Sequence, residues 1–423
     1  MPDTSDTPAD EPDISGLADV LASEGADGYL IDAASDDSDQ RYLSGFDAPD
    51  PFVSLFAENG VHLLVPALEY GRARTESRAA TVSRLADFDY RAKRDEYDPE
   101  AARHRVVADF LAAHDVSSIA VPPRFPVGTA DGLRDLGVSV RAEGDGAIAE
   151  LRATKTAREI EAIRVAQRAN ERAMAAGEDL LAAATVADDG EDTGEDDGDS
   201  GGGENDNNDG DGVLYYDGEA LTAERVKREI EVTLLEADHT LDETIVACGT
   251  DAADPHNRGS GPLRANEAII VDIFPRGKAS KYHADMTRTF CVGEPSPEVS
   301  RRYELTSEAL NAGLDAISAG TTGEAVHDAV CDVYEEAGYA TLRSDDRTET
   351  GFIHSTGHSV GLDVHELPQL ASGGEELEAG NVVTVEPGLY DPDIGGVRIE
   401  DLVVVTEDGY ENLTDYPKRL IVD

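Results

Sequence analysis

The chain is short of positive charge. Lys and Arg together number 35 against 89 Asp and Glu, which leaves a formal charge of −54 and a pI near 4.2 over 423 residues. Such a surface repels a polyanion, so general affinity for nucleic acid is excluded. Long apolar runs are also missing: no stretch reaches the roughly 18 consecutive apolar residues that a membrane helix needs, and no membrane partner is expected. The opening residues, MPDTSDTPADEPDIS, have neither the basic start nor the apolar core of a secretory leader. Cysteine is scarce. Cys248, Cys291 and Cys331 show no paired spacing and lie in apolar surroundings, which predicts buried free thiols in a reducing compartment. The expectation is therefore a cytoplasmic protein.

What is abundant is acid, spread along the whole chain rather than gathered in one tract. A chain so charged repels itself in dilute buffer, so we expect adaptation to a cytoplasm in which salt screens the charges, as in a halophile. The length allows two or three domains, and 40% hydrophobic residues suffice for their cores.

Residues 1–14 are rich in Pro, Asp and Thr and read as a disordered tail. From Ile14 order begins: Leu17, Val20 and Leu21 are spaced as a helix face, and residues 28–31 read as a strand. Asn59-Gly60 signals a hairpin between the runs 52–56 and 61–65. A helix over 101–114 and a strand over 118–121 complete an α/β layer pattern. Residues 150–177 read as one helix, with Ile160, Ile163, Ala166 and Ala173 on its apolar face. The domains are thus expected at 15–150 and 151–423. Residues 187–212, an insertion of Asp, Glu, Asn and Gly, cannot bury enough surface to offset ordering and read as a solvated loop rather than a calcium site. Beyond it, 222–236 reads as an amphipathic helix capped by Thr222, with Val226, Ile230 and Leu234 on one face. Residues 244–247 read as a strand, and helices over 296–319 and 324–337 should back a sheet.

The most informative stretch is IIVDIFPRGKASKYHADMTRTFCVG, residues 269–293. It predicts a two-stranded hairpin with Asp272 on the first strand and Asp285 in the second run. Carboxylates on buried strands must be paired, protonated or metal-bound. Three later phrases supply what a cation would still lack: HSTGHSVGLDVHELP with His354, His358 and His365, NVVTVEPGLY with Glu386, and GGVRIEDLVVV with Arg398 and Glu400. Mixed oxygen and nitrogen donors of this kind suit hard or borderline divalent ions.

The ordered set Asp272, Asp285, His358, Glu386 and Glu400, within DMTRTF, GHSVGLDVHELP, TVEPGLY and RIED, resembles the metallopeptidase family of Xaa-Pro aminopeptidases, prolidases and methionine aminopeptidases. The resemblance covers about residues 151–423, and a weaker one, carried by Tyr42-Leu43-Ser44-Gly45-Phe46, covers 15–150. It implies an α+β architecture, a pita-bread catalytic domain preceded by a creatinase-like α/β N-terminal domain. It also implies a site for two divalent metal ions, with Mn foremost and Co, Zn or Fe as alternatives, held by Asp272, Asp285, His358, Glu386 and Glu400. Asp285 and Glu400 would bridge the two ions. His365 would meet the scissile carbonyl, His256 would face substrate, Glu386 would carry a proton to the leaving nitrogen, and Arg398 would brace the carboxylates or orient a substrate carboxylate. His354 is expected behind the ligands. Short peptides with proline at the second position are the implied substrates, and a homodimer the implied assembly.

One departure stands out: the family usually leaves ten residues between the two aspartates, whereas twelve separate them here, so a longer hairpin tip is expected. Two other readings are weighed against a peptidase. A metal-independent creatinase-like amidinohydrolase would lack the complete ligand set, and non-catalytic pita-bread peptide-binding modules usually lose ligands. His62, His104, His114, His239 and His327 read as ordinary structural histidines, and His283 as an incidental neighbour of Asp285.

Overall fold

The computed structural model describes residues 12–57, 60–144, 146–186 and 212–422. The expectations for the tail 1–14 and the insertion 187–212 fall almost wholly outside the described residues, as does Asn59. The chain forms two compact units, one ending at Thr156 and the other beginning at Ala157.

The first unit is built on a mixed six-stranded sheet. Its spatial order is Thr81–Arg84, Gly60–Val65, Phe52–Ala57, Gly28–Ala33, Ser118–Val121, Ser139–Ala142. The expected hairpin is present, with Phe52–Ala57 and Gly60–Val65 antiparallel. Asp98 caps the helix Pro99–Ala113, and Pro99 opens it where a missing N–H costs nothing. That helix lays Val106, Val107, Phe110 and Leu111 on Leu30, Val53, Leu55, Ile119 and Val121. His62 and His114 stack within this unit, their ring centroids 4.0 Å apart.

The helix expected over 150–177 is broken. Ala147–Ala153 ends with Thr154 in an extended conformation, and a new helix, Ala157–Ala182, begins three residues later. The physical reason lies in the sequence: Thr156 stands three residues before Glu159, the Thr-x-x-Glu pattern that starts helices, and two β-branched threonines disfavour continuation.

In the second unit Thr222 accepts from the Arg225 backbone N–H and starts the helix Ala223–Glu236. Val226, Ile230 and Leu234 are fully buried, joining Val246, Ile269, Val271 and Phe290 in one core. Each such side chain contributes roughly 1.5–3 kcal/mol of burial. Two sheets follow. One has the order Thr244–Cys248, Ile269–Ile273, Met286–Val292, Ile421–Val422; the other runs Glu366–Leu370, Gly357–Ser359, Val382–Val385, Asp401–Thr406, Gly409–Asn412. Pro297–Ala316 and Gly323–Glu336 back the second sheet: Leu310, Leu314, Ile317 and Val326 pack on Val383, Val385, Val403 and Val405. No helix among the described residues is long and apolar enough to cross a membrane. All three cysteines are free, Cys291 and Cys331 buried and Cys248 half-buried.

Candidate metal centre

Ile269–Ile273 and Met286–Val292 pair antiparallel, with Asp272 opposite Thr287. Opposed residues share a face of the sheet, as do residues two apart, so Asp272, Thr287 and Asp285 point to one side. The tip between the strands is not a free loop. Arg276–Gly277 pairs with His239–Thr240, Arg276 bridges to His283, and the His283 N–H donates to the Gly361 carbonyl. His283 is therefore built into the tip rather than merely adjacent to Asp285.

The sequence suggested carboxylates within strands, yet only Asp272 lies inside one. Asp285 comes just before Met286–Val292, Glu386 just after Val382–Val385, and Glu400 just before Asp401–Thr406. The last rung between the latter two strands is Val385 with Asp401, so Glu386 and Glu400 occupy the place where the ladder opens. Pro387 explains the stop, since it has no N–H to extend pairing. Two glycines allow the close approaches that shape the site. A Cβ at Gly357 would lie 2.1 Å from the Thr384 carbonyl, and one at Gly396 would lie 2.0 Å from that of Ala252. The first lets the strand carrying His358 press against its neighbour. The second seats the hairpin Gly388–Asp391 and Gly395–Arg398 on the turn Gly249–Ala253.

One oxygen from each of Asp272, Asp285 and Glu400 lies within 4.8 Å of the others. Arg398 Nη2 donates to Asp272 Oδ2 at 2.7 Å and its Nε to Thr287 Oγ1 at 3.2 Å, while Thr287 Oγ1 donates to Glu400 Oε2 at 2.8 Å. Asp272 Oδ1 and Glu400 Oε1 are buried with no hydrogen-bond partner. Buried acceptors of this kind need an explanation, and a cation supplies one. Burial, reinforced by the adjoining carboxylates, pushes Asp285 and Glu400 well above the usual carboxylate range, and Asp272 is raised mainly by burial despite Arg398.

His358 and Glu386 stand beside this cluster. A register shift at His358/Ser359 aims the imidazole, whose Nδ1 lies 3.2 Å from the Ser359 carbonyl and must donate to it. Nε2 then faces Glu386 Oε1 at 3.3 Å, an arrangement that needs a proton or a cation between the two. Burial opposes charge on Glu386, but the His358 hydrogen bond and the charges of His358, His354 and Arg398 outweigh it and hold Glu386 down to about 2. For His358 the Glu386 bond likewise overcomes burial and raises the imidazole above its ordinary value. With all four ionised, Asp272, Asp285, Glu386 and Glu400 would exceed in charge what Arg398 and His358 can balance, and the mixed donor set fits divalent ions that would make up the difference.

His365 packs edge to face on His358, centroids 4.2 Å apart, and burial followed by the His358 charge lowers it. His354 Nδ1 donates to the Ser355 carbonyl, leaving Nε2 to accept from the Tyr390 hydroxyl at 3.0 Å; burial brings this imidazole down to about 4. The same hydroxyl accepts from Arg398 Nη1 at 2.8 Å. Arg398 Nη1 also reaches the Pro255 carbonyl at 3.3 Å, which brings the loop with His256 to the site. Sequence reasoning missed Tyr390, Thr287 and Thr384, whose hydroxyl accepts from the His358 N–H. All three fall within the motifs DMTRTF and NVVTVEPGLY, but hydroxyls among β-prone residues give no signal of their own.

The sequence pattern of metallopeptidase family M24 matches residues 161–407, and that of the creatinase/prolidase N-terminal domain matches 14–154. A probable dipeptidase PepE of Mycobacterium tuberculosis is 41% identical over 180 residues, 42% of this chain and 45% of that relative. An Xaa-Pro dipeptidase of Pyrococcus furiosus is 35% identical over 181 residues, 42% of this chain and 49% of that protein. The matched segments thus span about half the length of these curated relatives. Among solved structures, an Xaa-Pro dipeptidase from Bacillus anthracis superposes with a TM-score of 0.77 at 24% identity, covering 96% of this chain and 98% of that one.

Proposed function

This chain belongs to metallopeptidase family M24, and from that premise we propose that it is a metal-dependent exopeptidase cleaving the N-terminal Xaa-Pro bond of short peptides. The architecture is α+β, a pita-bread unit preceded by a creatinase-like N-terminal unit. Membership of a metallopeptidase family implies divalent metal ions. In our reading there are two, Mn²⁺ foremost, held by Asp272, Asp285, His358, Glu386 and Glu400. The single observation that carries this is the buried oxygen cluster with unpartnered Asp272 Oδ1 and Glu400 Oε1. The substrate class rests on the relatives named for dipeptides and Xaa-Pro dipeptides.

When bound, the ions would acidify the attacking water and polarise the scissile carbonyl. The chain's own residues would do the rest. His365, kept neutral by burial, would donate a hydrogen bond to the carbonyl oxygen as negative charge develops there. Glu386 would pass a proton to the leaving nitrogen. Arg398 holds Asp272 in one orientation, and the Tyr390 hydroxyl, which gives its proton to His354 Nε2, locks the guanidinium from the other side. His256 would face substrate from the loop that Arg398 anchors. Residence in a reducing cytoplasm and a homodimeric state complete the proposal, supported by the unpaired thiols and by family resemblance respectively.

The test is release of the N-terminal residue from an Xaa-Pro dipeptide and an Xaa-Pro-Xaa tripeptide at high salt, with Mn²⁺ and with chelator. Chelator-sensitive cleavage that Glu400→Gln abolishes is the expected result. Folded, metal-loaded protein that cleaves neither peptide would overturn the assignment.

A further inference from the structure

Arg288, in the DMTRTF phrase, is the largest fully buried side chain among the described residues, and its environment is unusually complete. A guanidinium has five N–H donors. Here Nη1 donates to the Thr287 carbonyl at 2.9 Å and the Glu400 carbonyl at 2.5 Å, and Nη2 to Asp401 Oδ1 at 3.0 Å and the Tyr416 carbonyl at 2.9 Å. Nε donates to the Pro417 carbonyl at 3.1 Å. Every donor is used, and four of the five acceptors are backbone carbonyls. Asp401, equally buried, takes Lys418 Nζ at 2.6 Å and Asn412 Nδ2 at 2.8 Å on its other oxygen.

The carbonyls so gripped are not arbitrary. Thr287 supplies the hydroxyl that joins Arg398 to Glu400, and the Glu400 N–H donates to the Thr287 carbonyl. The guanidinium therefore holds both backbones that present this pair, from the side opposite the carboxylate oxygens. The remaining grip falls on residues 416–418 near the C-terminal end of the chain. That segment is held a second time, because Tyr416 and Arg419 bond Glu178 of the helix Ala157–Ala182, and a third, by Ile421–Val422 pairing with Cys291–Val292.

We infer that Arg288 is a positioning residue for the metal centre, and that Asp401, Lys418 and the 416–418 segment form with it a clamp that sets the geometry of Glu400. The inference rests on the proposed metal-binding role of Glu400. An apolar or neutral core could bury as much surface without a guanidinium. What a rigid five-donor fork adds is direction, fixing two adjacent strands and a distant segment in one register. If that register is what Glu400 needs, loosening the clamp should weaken metal binding even in protein that stays folded.

Mn²⁺ affinity of the full chain, measured by calorimetric titration of chelator-stripped protein in the absence of substrate, tests this. Arg288→Lys and Lys418→Met are compared with Arg343→Met, which removes a partly exposed arginine ion-paired with Asp328, Asp332 and Glu335, away from the metal cluster. Lys418 is partly exposed, so its loss should be tolerated by the fold should Arg288→Lys prove insoluble. Under the clamp, Arg288→Lys and Lys418→Met weaken Mn²⁺ binding by roughly 10- to 100-fold, as loss of groups orienting a metal ligand does, and the metal concentration for half-maximal activity rises with little change in peptide KM. Arg343→Met lowers the thermal midpoint and leaves affinity alone. Wild-type Mn²⁺ affinity in a folded Lys418→Met variant, with a lowered midpoint, would overturn the inference and make the cluster purely structural. Wild-type protein that binds no Mn²⁺ would instead overturn the metallopeptidase reading beneath it.

Discussion

Mn²⁺ should raise the thermal midpoint of the wild-type chain, and Glu400→Gln should remove most of that rise while doing no harm in chelator. Asp272, Asp285, Glu386 and Glu400 crowd a buried region where Arg398 and His358 are the compensating cations. Each metal site filled at a hundred times its dissociation constant adds about 2.7 kcal/mol by mass action. For a unit of this size each kcal/mol moves the midpoint by roughly 2–4 °C, so two filled sites should add about 10–20 °C. In Glu400→Gln the amide oxygen can still accept from Thr287 Oγ1, so the hydrogen bond survives while the carboxylate that a metal ion would bind is lost. Without metal the variant should match wild type or exceed it by up to about 1 kcal/mol, because it removes a carboxyl whose ionisation burial and its acidic neighbours oppose. With metal its gain should shrink to less than half. Scanning calorimetry in about 2 M NaCl, where surface charges are screened, isolates the effect. An equal metal-induced rise in both proteins would refute the reasoning, and so would a variant clearly less stable than wild type in chelator.

Thr287→Val leaves Arg398 Nε and Glu400 Oε2 without their shared hydroxyl, which should cost about 1–3 kcal/mol by urea unfolding and lower kcat/KM at least tenfold; a loss of stability with unchanged kcat/KM would deny Thr287 any part in the site. His62 is held down to about 4 by burial and then by the stacked His114. The unfolded chain therefore takes up protons that the folded one refuses. Stability stands in full above about pH 6.5 and falls toward pH 4, by about 1–2 kcal/mol after allowance for screening. Urea curves at pH 7 and 4.5 should show His62→Phe losing less on acidification than wild type, and equal losses would count against it. The formal charge of −54 predicts a midpoint that climbs as NaCl rises from about 0.1 M, where the screening length is about 10 Å, to molar concentrations. A flat or falling profile would sink the expectation of salt adaptation.

Much of the second unit was legible because its signals are local. Thr222 caps a helix whose Val226, Ile230 and Leu234 recur at helical spacing, and all three are buried as the pattern demands. The strands of the Asp272 hairpin were readable from their β-branched runs on either side of a turn. The break at residues 154–156 was not, because a tally of apolar positions runs through a capping threonine without noticing it. The clamp was invisible for a different reason. Arg288 reaches Glu400 and Asp401 across more than a hundred residues, and no local pattern distinguishes a buried arginine with five acceptors from one that faces water on an alternating strand. Tyr390 was likewise seen as part of a phrase but not as the hydroxyl between His354 and Arg398.

The placement of the carboxylates on and at the ends of paired strands bears on how such a chain can change. Asp285 takes its position from the onset of Met286–Val292, and Asp272 from a rung with Thr287, so neither is indexed to the number of residues in the excursion between them. That excursion has its own attachments, at His239–Thr240 and Gly361. Its ends are fixed by the strands and its far end by that pairing, so its length can change while the acids stay in place. Sequence length in this tip is therefore a degree of freedom uncoupled from the chemistry. Variation there can reshape what approaches the centre without having to rebuild the centre itself.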